Sequence, residues 1–139
     1  MARTATQASP RLIALALPGI PGSVPAARRH VRDALGLHGL GEFAQDAEFI
    51  TSELVANAIQ HACGNGAATI GVTLTCAGNP AAVTVVVSDS SPQGPVRRET
   101  PAGGEQGRGL QIVAALSARW GWRCEDGGKA VFAVLAREV

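Results

Sequence analysis

The run Ala82-Val-Thr-Val-Val-Val87 constrains the fold more than any other stretch of this chain. Nearly every residue in it is β-branched, which predicts a strand buried at the centre of a sheet. The stretch Glu42 to Ala62 predicts the strongest helix. Its apolar residues Phe43, Ala47, Ile50, Leu54 and Ala58 recur three or four apart, the spacing of one helical face. Around these two, Arg11–Leu17 reads as a first strand, stopped by Pro18-Gly-Ile-Pro-Gly22. Ser23 is placed to cap a helix from Val24 to Leu37, with Pro25 in its first turn. Gly64-Asn-Gly66 ends the long helix. Ala68–Thr75 alternates as a strand and turns at Gly78-Asn-Pro80. Gly109 is expected to open a third helix, with Leu110, Ile112, Val113 and Leu116 on one side. Trp120–Glu125 and Lys129–Arg137 form a closing hairpin across Asp126-Gly127-Gly128.

The resulting order, β-α-α-β-β-loop-α-β-β, groups strands and helices instead of alternating them. That predicts an α+β fold, a two-layer sandwich with helices on one face of a mixed, mostly antiparallel sheet. At 139 residues one compact domain is expected, covering 11–139 behind a flexible tail of residues 1–10. Ser90 to Gln106 holds three prolines and three glycines. A loop this long inside a small domain is functional or disordered.

Composition removes several classes of function. The formal net charge is +1, so no strong sequence-independent pull toward nucleic acid is expected. Tyr is absent and only five aromatics are present, too few for a base-stacking platform. The single lysine, Lys129, lies in no phosphate-loop motif. The longest early apolar run, Leu12–Leu17, is short for a signal peptide and far short of a membrane span. The chain therefore reads as soluble and cytoplasmic. Cys63, Cys76 and Cys124 are an odd set without CxxC spacing, which argues against a disulfide framework. His61 and Cys63 lack a second pair with which to hold zinc. Charge is unevenly spread: residues 42–89 contain five carboxylates and no Lys or Arg, a segment suited to hold a cation.

Three constellations carry chemistry. On the long helix, each i to i+4 step advances only about 40° around the axis, so Glu53, Asn57 and His61 share one stripe. Ile50 falls inside that stripe and Leu54 at its edge, which puts the polar trio at the margin of the buried face. They are either solvated helix residues or a site in which Asn57 meets a metal and Glu53 polarises a hydroxyl or water. The second is Asp89, directly after the β-branched strand. It either starts a turn or accepts a hydrogen bond from a ligand's amino group. The third is Gly103-Gly-Glu-Gln-Gly107-Arg108-Gly109-Leu110. Glycines at a loop-to-helix junction serve either as a hinge or as a place where backbone N–H groups and Arg108 approach phosphate. In this order the three would supply metal, base and phosphate contacts for one nucleotide.

The trio resembles the conserved boxes of the Bergerat-fold ATPases, the superfamily of gyrase B, histidine kinases, MutL and the heat-shock chaperone. The specific parts are Glu53-Leu-Val-x-Asn57-Ala-x-x-His61 and Gly107-Arg-Gly109-Leu110, and the similarity runs from about Leu12 to Leu135. Within the superfamily the chain looks most like the small anti-sigma-factor serine kinases and related ATP-binding regulators of actinobacteria. The resemblance implies a histidine-kinase-like ATP-binding domain with ATP and Mg²⁺. Carried over by position, Asn57 would ligate Mg²⁺ and Glu53 would be the catalytic base. Asp89 would hold the adenine amino group. Gly104, Gly107, Arg108, Gly109 and Leu110 would bind the nucleotide, with Arg108 also offsetting transition-state charge. His61 would be structural support beside the cleft.

The implied activity is serine/threonine phosphorylation of an anti-sigma-factor antagonist, with a sigma factor as a further partner, and such proteins commonly form homodimers. No direct nucleic-acid or membrane contact is implied. Arg28, Arg29 and Arg32 on the first helix are a candidate partner face, or a solvated helix face. Two departures stand out. The box that usually reads Asp-x-Gly-x-Gly is Asp89-Ser-Ser91-Pro-Gln93, without either glycine. The last hairpin carries Gly-Gly-Lys129-Ala130 where the family often has a Thr near the adenine. The missing glycines favour the alternative, a non-catalytic module that binds ATP or sequesters a partner without it.

Overall fold

The structure is a computed structural model that describes residues 11–62, 69–78, 81–89, 105–125 and 128–136. The strands are β1 (Arg11–Pro18), β2 (Thr69–Ala77), β3 (Ala82–Asp89), β4 (Arg119–Glu125) and β5 (Gly128–Ala136). The helices are α1 (Ser23–Leu37), α2 (Ala44–Ala62) and α3 (Glu105–Leu116), with one 3₁₀ turn at Gly41–Phe43. The sheet order is β1-β2-β3-β5-β4, and every neighbouring pair is antiparallel. The α+β architecture expected from the sequence is therefore the observed one, with an antiparallel sheet.

β3 lies in the middle of the sheet, as its β-branched run predicts. Its burial nevertheless alternates: Val83, Val85 and Val87 are fully buried, while Thr84, Val86 and Ser88 between them are half-buried. The first set faces the helices and packs with Ile70, Val72 and Leu74 of β2 and with Ile50, Leu54 and Val55 of α2. The second set lies on the other face of the sheet, so β3 is central in the ladder but fully buried on one side only. The helical layer is held by apolar spacing. α1 buries Ala27, Val31, Ala34 and Leu35, three or four apart.

Several boundaries differ from expectation. Ser23 is the first residue of α1, not its cap; Gly22 holds that position without a side-chain bond. The Ser23 hydroxyl instead donates to the Pro18 carbonyl at 2.6 Å, tying the helix start to the end of β1. Pro18 O also accepts from the Ile20 N–H, so Ser23→Ala leaves no orphan. The expected cost is about 1 kcal/mol, read as a fall in the urea midpoint with an unchanged slope. The long helix starts as a 3₁₀ turn and becomes α-helical at Ala44, not Glu42. α3 starts at Glu105, four residues before the expected Gly109. Strand β2 runs to Ala77, β3 to Asp89, and the last hairpin is Arg119–Glu125 with Gly128–Ala136. The tail at 1–10, Cys63, Gly64-Asn-Gly66 and most of the Ser90–Gln106 loop lie outside the described residues.

Candidate functional site

α2 places Glu53 and Asn57 one turn apart, and both are half-buried. The helical wheel puts them at the edge of the core face, and that is where they stand. Together with Pro21 just before α1, Val24 in its first turn, and Ala56 and Gln60 of α2, they line a cleft of about 390 Å³. This volume lies in the range of small-molecule sites. The Asn57 Oδ1 is buried and has no hydrogen-bond partner among the described residues. Thr51 Oγ1 shares that condition, but Thr51 is fully buried in the core. Asn57, by contrast, also borders the cleft. A buried carbonyl oxygen without a donor costs about 1–3 kcal/mol, a cost that a bound cation would remove.

A Mg²⁺ ion fits this donor set. It takes hard oxygen ligands and is typically held by one or two protein oxygens together with phosphates and waters. Among the described residues no three His, Cys, Asp or Glu side chains gather into a metal cage. A cation here would depend on Asn57 and on oxygens that a ligand brings.

Glu53 joins α2 to α3. A Cβ placed on Gly109 would overlap Glu53 Oε1 and stand 2.9 Å from Glu53 Cδ. A side chain at 109 would therefore push the Glu53 carboxyl group aside, because Glu53 lies against that backbone. Gly109 is the fifth residue of α3. In an α-helix the fifth N–H bonds back to the first carbonyl, and only the first four N–H groups lack intrahelical partners. The capping residue supplies one of the four, so within α3 the N–H groups open to an anion are those of Glu105 to Gly107, while the Gly109 backbone packs closely against Glu53. Leu110, expected among the nucleotide-binding residues, is 2% exposed and part of the hydrophobic core; its side chain anchors α3. Gly107 lies in the first turn of the helix. The Arg108 and His61 side chains, and the whole of Gly104, lie outside the described residues.

Glu53 also borders a second cleft of about 500 Å³, whose lining includes Arg28, Ser52 and Ile112. Arg28 donates to Ser52 Oγ at 3.3 Å, and Arg32 Nη1 lies 3.6 Å from Glu48 Oε1. Two of the three arginines on the α1 face therefore reach back to α2. At the surface such contacts contribute at most about 1 kcal/mol each.

Asp89 ends β3 on the helix-facing side, in register with Lys129 of β5. It does not begin an isolated turn: Lys129 Nζ donates to Asp89 Oδ2 at 2.8 Å, and both side chains are 1% exposed. Asp89 is not among the residues lining either cleft. The structure thus joins Glu53, Asn57 and Gly109 in one group and Asp89 with Lys129 in another. Sequence reasoning noted Lys129 only as a substitute for threonine. A lone lysine beginning an otherwise apolar strand, Ala130 to Ala136, was the signal available, but its partner follows only from the β3–β5 register.

None of the helices among the described residues is long and apolar enough to cross a membrane. A family model described as the histidine kinase-like ATPase domain matches residues 17–135. Comparison with curated proteins gave no match.

Proposed function

The chain belongs to the histidine kinase-like ATPase domain family, and on that premise we propose that it is a cytoplasmic regulator that uses Mg-ATP to phosphorylate a serine of an anti-sigma-factor antagonist. A sigma factor is the proposed second partner, and a homodimer the proposed assembly. The observation that carries the reading is the pairing of Glu53 with Asn57 in one cleft, with the Asn57 oxygen buried and unpaired.

Each residue then has a task. Asn57 Oδ1 would hold Mg²⁺, which when bound would supply positive charge to offset that of the phosphates. Glu53 takes the proton of the serine hydroxyl as that oxygen attacks the γ-phosphorus. The bond from the γ-phosphorus to the bridging oxygen breaks, and ADP leaves. The α3 N-terminus offers positive potential to the phosphates, and Gly109 lets the helix come close enough to Glu53 to do so. Arg108 is assigned the charge developing in the transition state.

Mg-ATP at millimolar concentration should raise the melting temperature, because a ligand specific for the native state stabilises it by mass action. Asn57→Leu separates stability from binding. It removes the orphan oxygen and places a better helix former in α2, so the unliganded protein should melt at or above the parent. The Mg-ATP shift should disappear. A variant that keeps the full shift would remove Asn57 from the site.

A specific observation supports a second reading, the non-catalytic module. Asp89 is paired with a lysine, and Ser91 and Gln93 replace the glycines that usually follow it. Incubation with labelled ATP, Mg²⁺ and candidate antagonists distinguishes the two. Label on a serine supports the kinase. ATP binding without transfer to any candidate leaves the module.

A further inference from the structure

Glu53 lines both clefts. On one side of it stands the cleft with Asn57, whose buried oxygen lacks a donor. On the other is the cleft of about 500 Å³, and its lining is of a different kind. Phe49 of α2 and Ile112 of α3 give it an apolar floor, and Arg28 and Asp46 bring opposite charges to its rim. The sequence predicts Ile112 on the same side of α3 as Leu110 and Val113. Those two are buried, but Ile112 is 41% exposed. Phe49 is half-buried, and neither it nor Ile112 belongs to the hydrophobic core. The fold thus leaves two large apolar side chains in a groove beside Glu53.

A general base must reach the hydroxyl whose proton it takes, and phosphoryl transfer sets the attacking and leaving oxygens roughly in line. The nucleotide and the acceptor therefore approach Glu53 from different directions. The Asn57 cleft has the oxygen suited to a cation and its phosphates, which leaves the second cleft for the acceptor. Its charges indicate what fits. Arg28 donates to the neutral Ser52 hydroxyl at 3.3 Å, so its charge still attracts a carboxylate. Asp46 is exposed in the first turn of α2 and attracts a cation. Spacing sets the order. A helix rises about 1.5 Å per residue, which places Phe49 about 6 Å and Asp46 about 10 Å from Glu53 along the axis. An extended chain advances about 3.3 Å per residue. A serine at Glu53 then has its second neighbour over Phe49 and its third beside Asp46.

We propose that this groove is the docking site for the serine-bearing segment of the phosphorylated protein, which lies extended along α2. The proposal rests on the kinase reading above and adds to it the chemistry of the acceptor. An acidic residue beside the serine meets Arg28. An apolar residue two positions from the serine settles on Phe49 and Ile112. A basic residue three positions away, on the same side, meets Asp46. The apolar anchor carries most of the affinity, and the two charges at the rim fix register and direction.

The test uses the intact chain with Mg²⁺, labelled ATP and a library of synthetic peptides in which a central serine is fixed and each neighbouring position is varied in turn. The expected result is transfer that favours an apolar over a charged residue two positions from the serine by about tenfold. Lys or Arg at the third position on that side should be favoured about two- to fivefold. Asp46→Lys should turn the third-position preference from basic to acidic, and Ile112→Gln should flatten the apolar preference. Both side chains are exposed, and the rise in melting temperature with Mg-ATP reports that each variant is folded. Transfer without positional preference would overturn the groove while leaving the kinase reading in place. So would a preference that stays basic in Asp46→Lys, or transfer to a folded antagonist but to no peptide. Transfer to no peptide and to no candidate antagonist would defeat the kinase reading itself, and the docking site with it.

Discussion

Replacing Glu53 with glutamine is expected to lower phosphoryl transfer to a serine by about 10²- to 10⁴-fold, the usual loss when a general base is removed. Glutamine is the informative change because it keeps the length and planar end of the side chain. The Glu53 carboxyl group lies against the backbone at Gly109, and an alanine there would also leave a gap between α2 and α3. Glutamine fills the gap but cannot take up the serine proton. Mg-ATP should therefore still raise the melting temperature of the variant while the rate of label transfer falls. A variant that transfers label at the parent rate would show that Glu53 is not the base. Loss of the melting-temperature shift would show instead that Glu53 supports binding.

Lys129→Met is expected to cost about 3–5 kcal/mol, the range observed when one partner of a buried ion pair is removed. Methionine occupies similar space, so the loss does not come from a cavity. It comes from the Asp89 carboxylate, left buried at the end of β3 without its ammonium. For a domain of this size about 1 kcal/mol corresponds to a few degrees, so the melting temperature should fall by roughly 10–20 °C. The double change Asp89→Asn with Lys129→Met should recover most of the loss, because no uncompensated charge remains. A double-mutant cycle on these two positions measures the coupling directly. Equal melting temperatures for the parent and the single variant would mean that the pair carries no net coupling in the folded protein.

The parts of the fold written in local pattern were legible from the sequence. The β-branched run at 82–87 placed β3 at the centre, and the three-and-four spacing of Phe43 to Ala58 placed α2 over the sheet. The wheel also placed Glu53 and Asn57 at the margin of the buried face, where both are half-buried. What was not legible depends on contacts between distant residues. Gly107 and Gly109 argue against helix by about 1 kcal/mol each, so the sequence suggests a helix that begins at the second of them. The helix begins at Glu105, and Gly109 is explained by the Glu53 side chain, 56 positions earlier in the chain. Ser23 has the composition of a cap, yet its hydroxyl serves Pro18. The partner of Lys129 is a matter of strand register alone. Nothing in the residues around 129 names Asp89, and only the β3–β5 ladder brings them within 2.8 Å.

The same ladder has a consequence for biosynthesis. Glu53, Asn57 and Asp89 are all in place on the first five elements of the chain, whereas Gly109 and Lys129 belong to the last three. These two portions of the sheet meet along the β3–β5 seam, because β4 pairs only with β5 and β1 only with β2. A nascent chain that has left the ribosome as far as β3 already exposes a carboxylate, an amide and an aspartate, but has no α3 terminus for phosphates and no ammonium beside Asp89. On the proposed reading, these two contributions are gained only when α3 is in place and β5 zips onto β3.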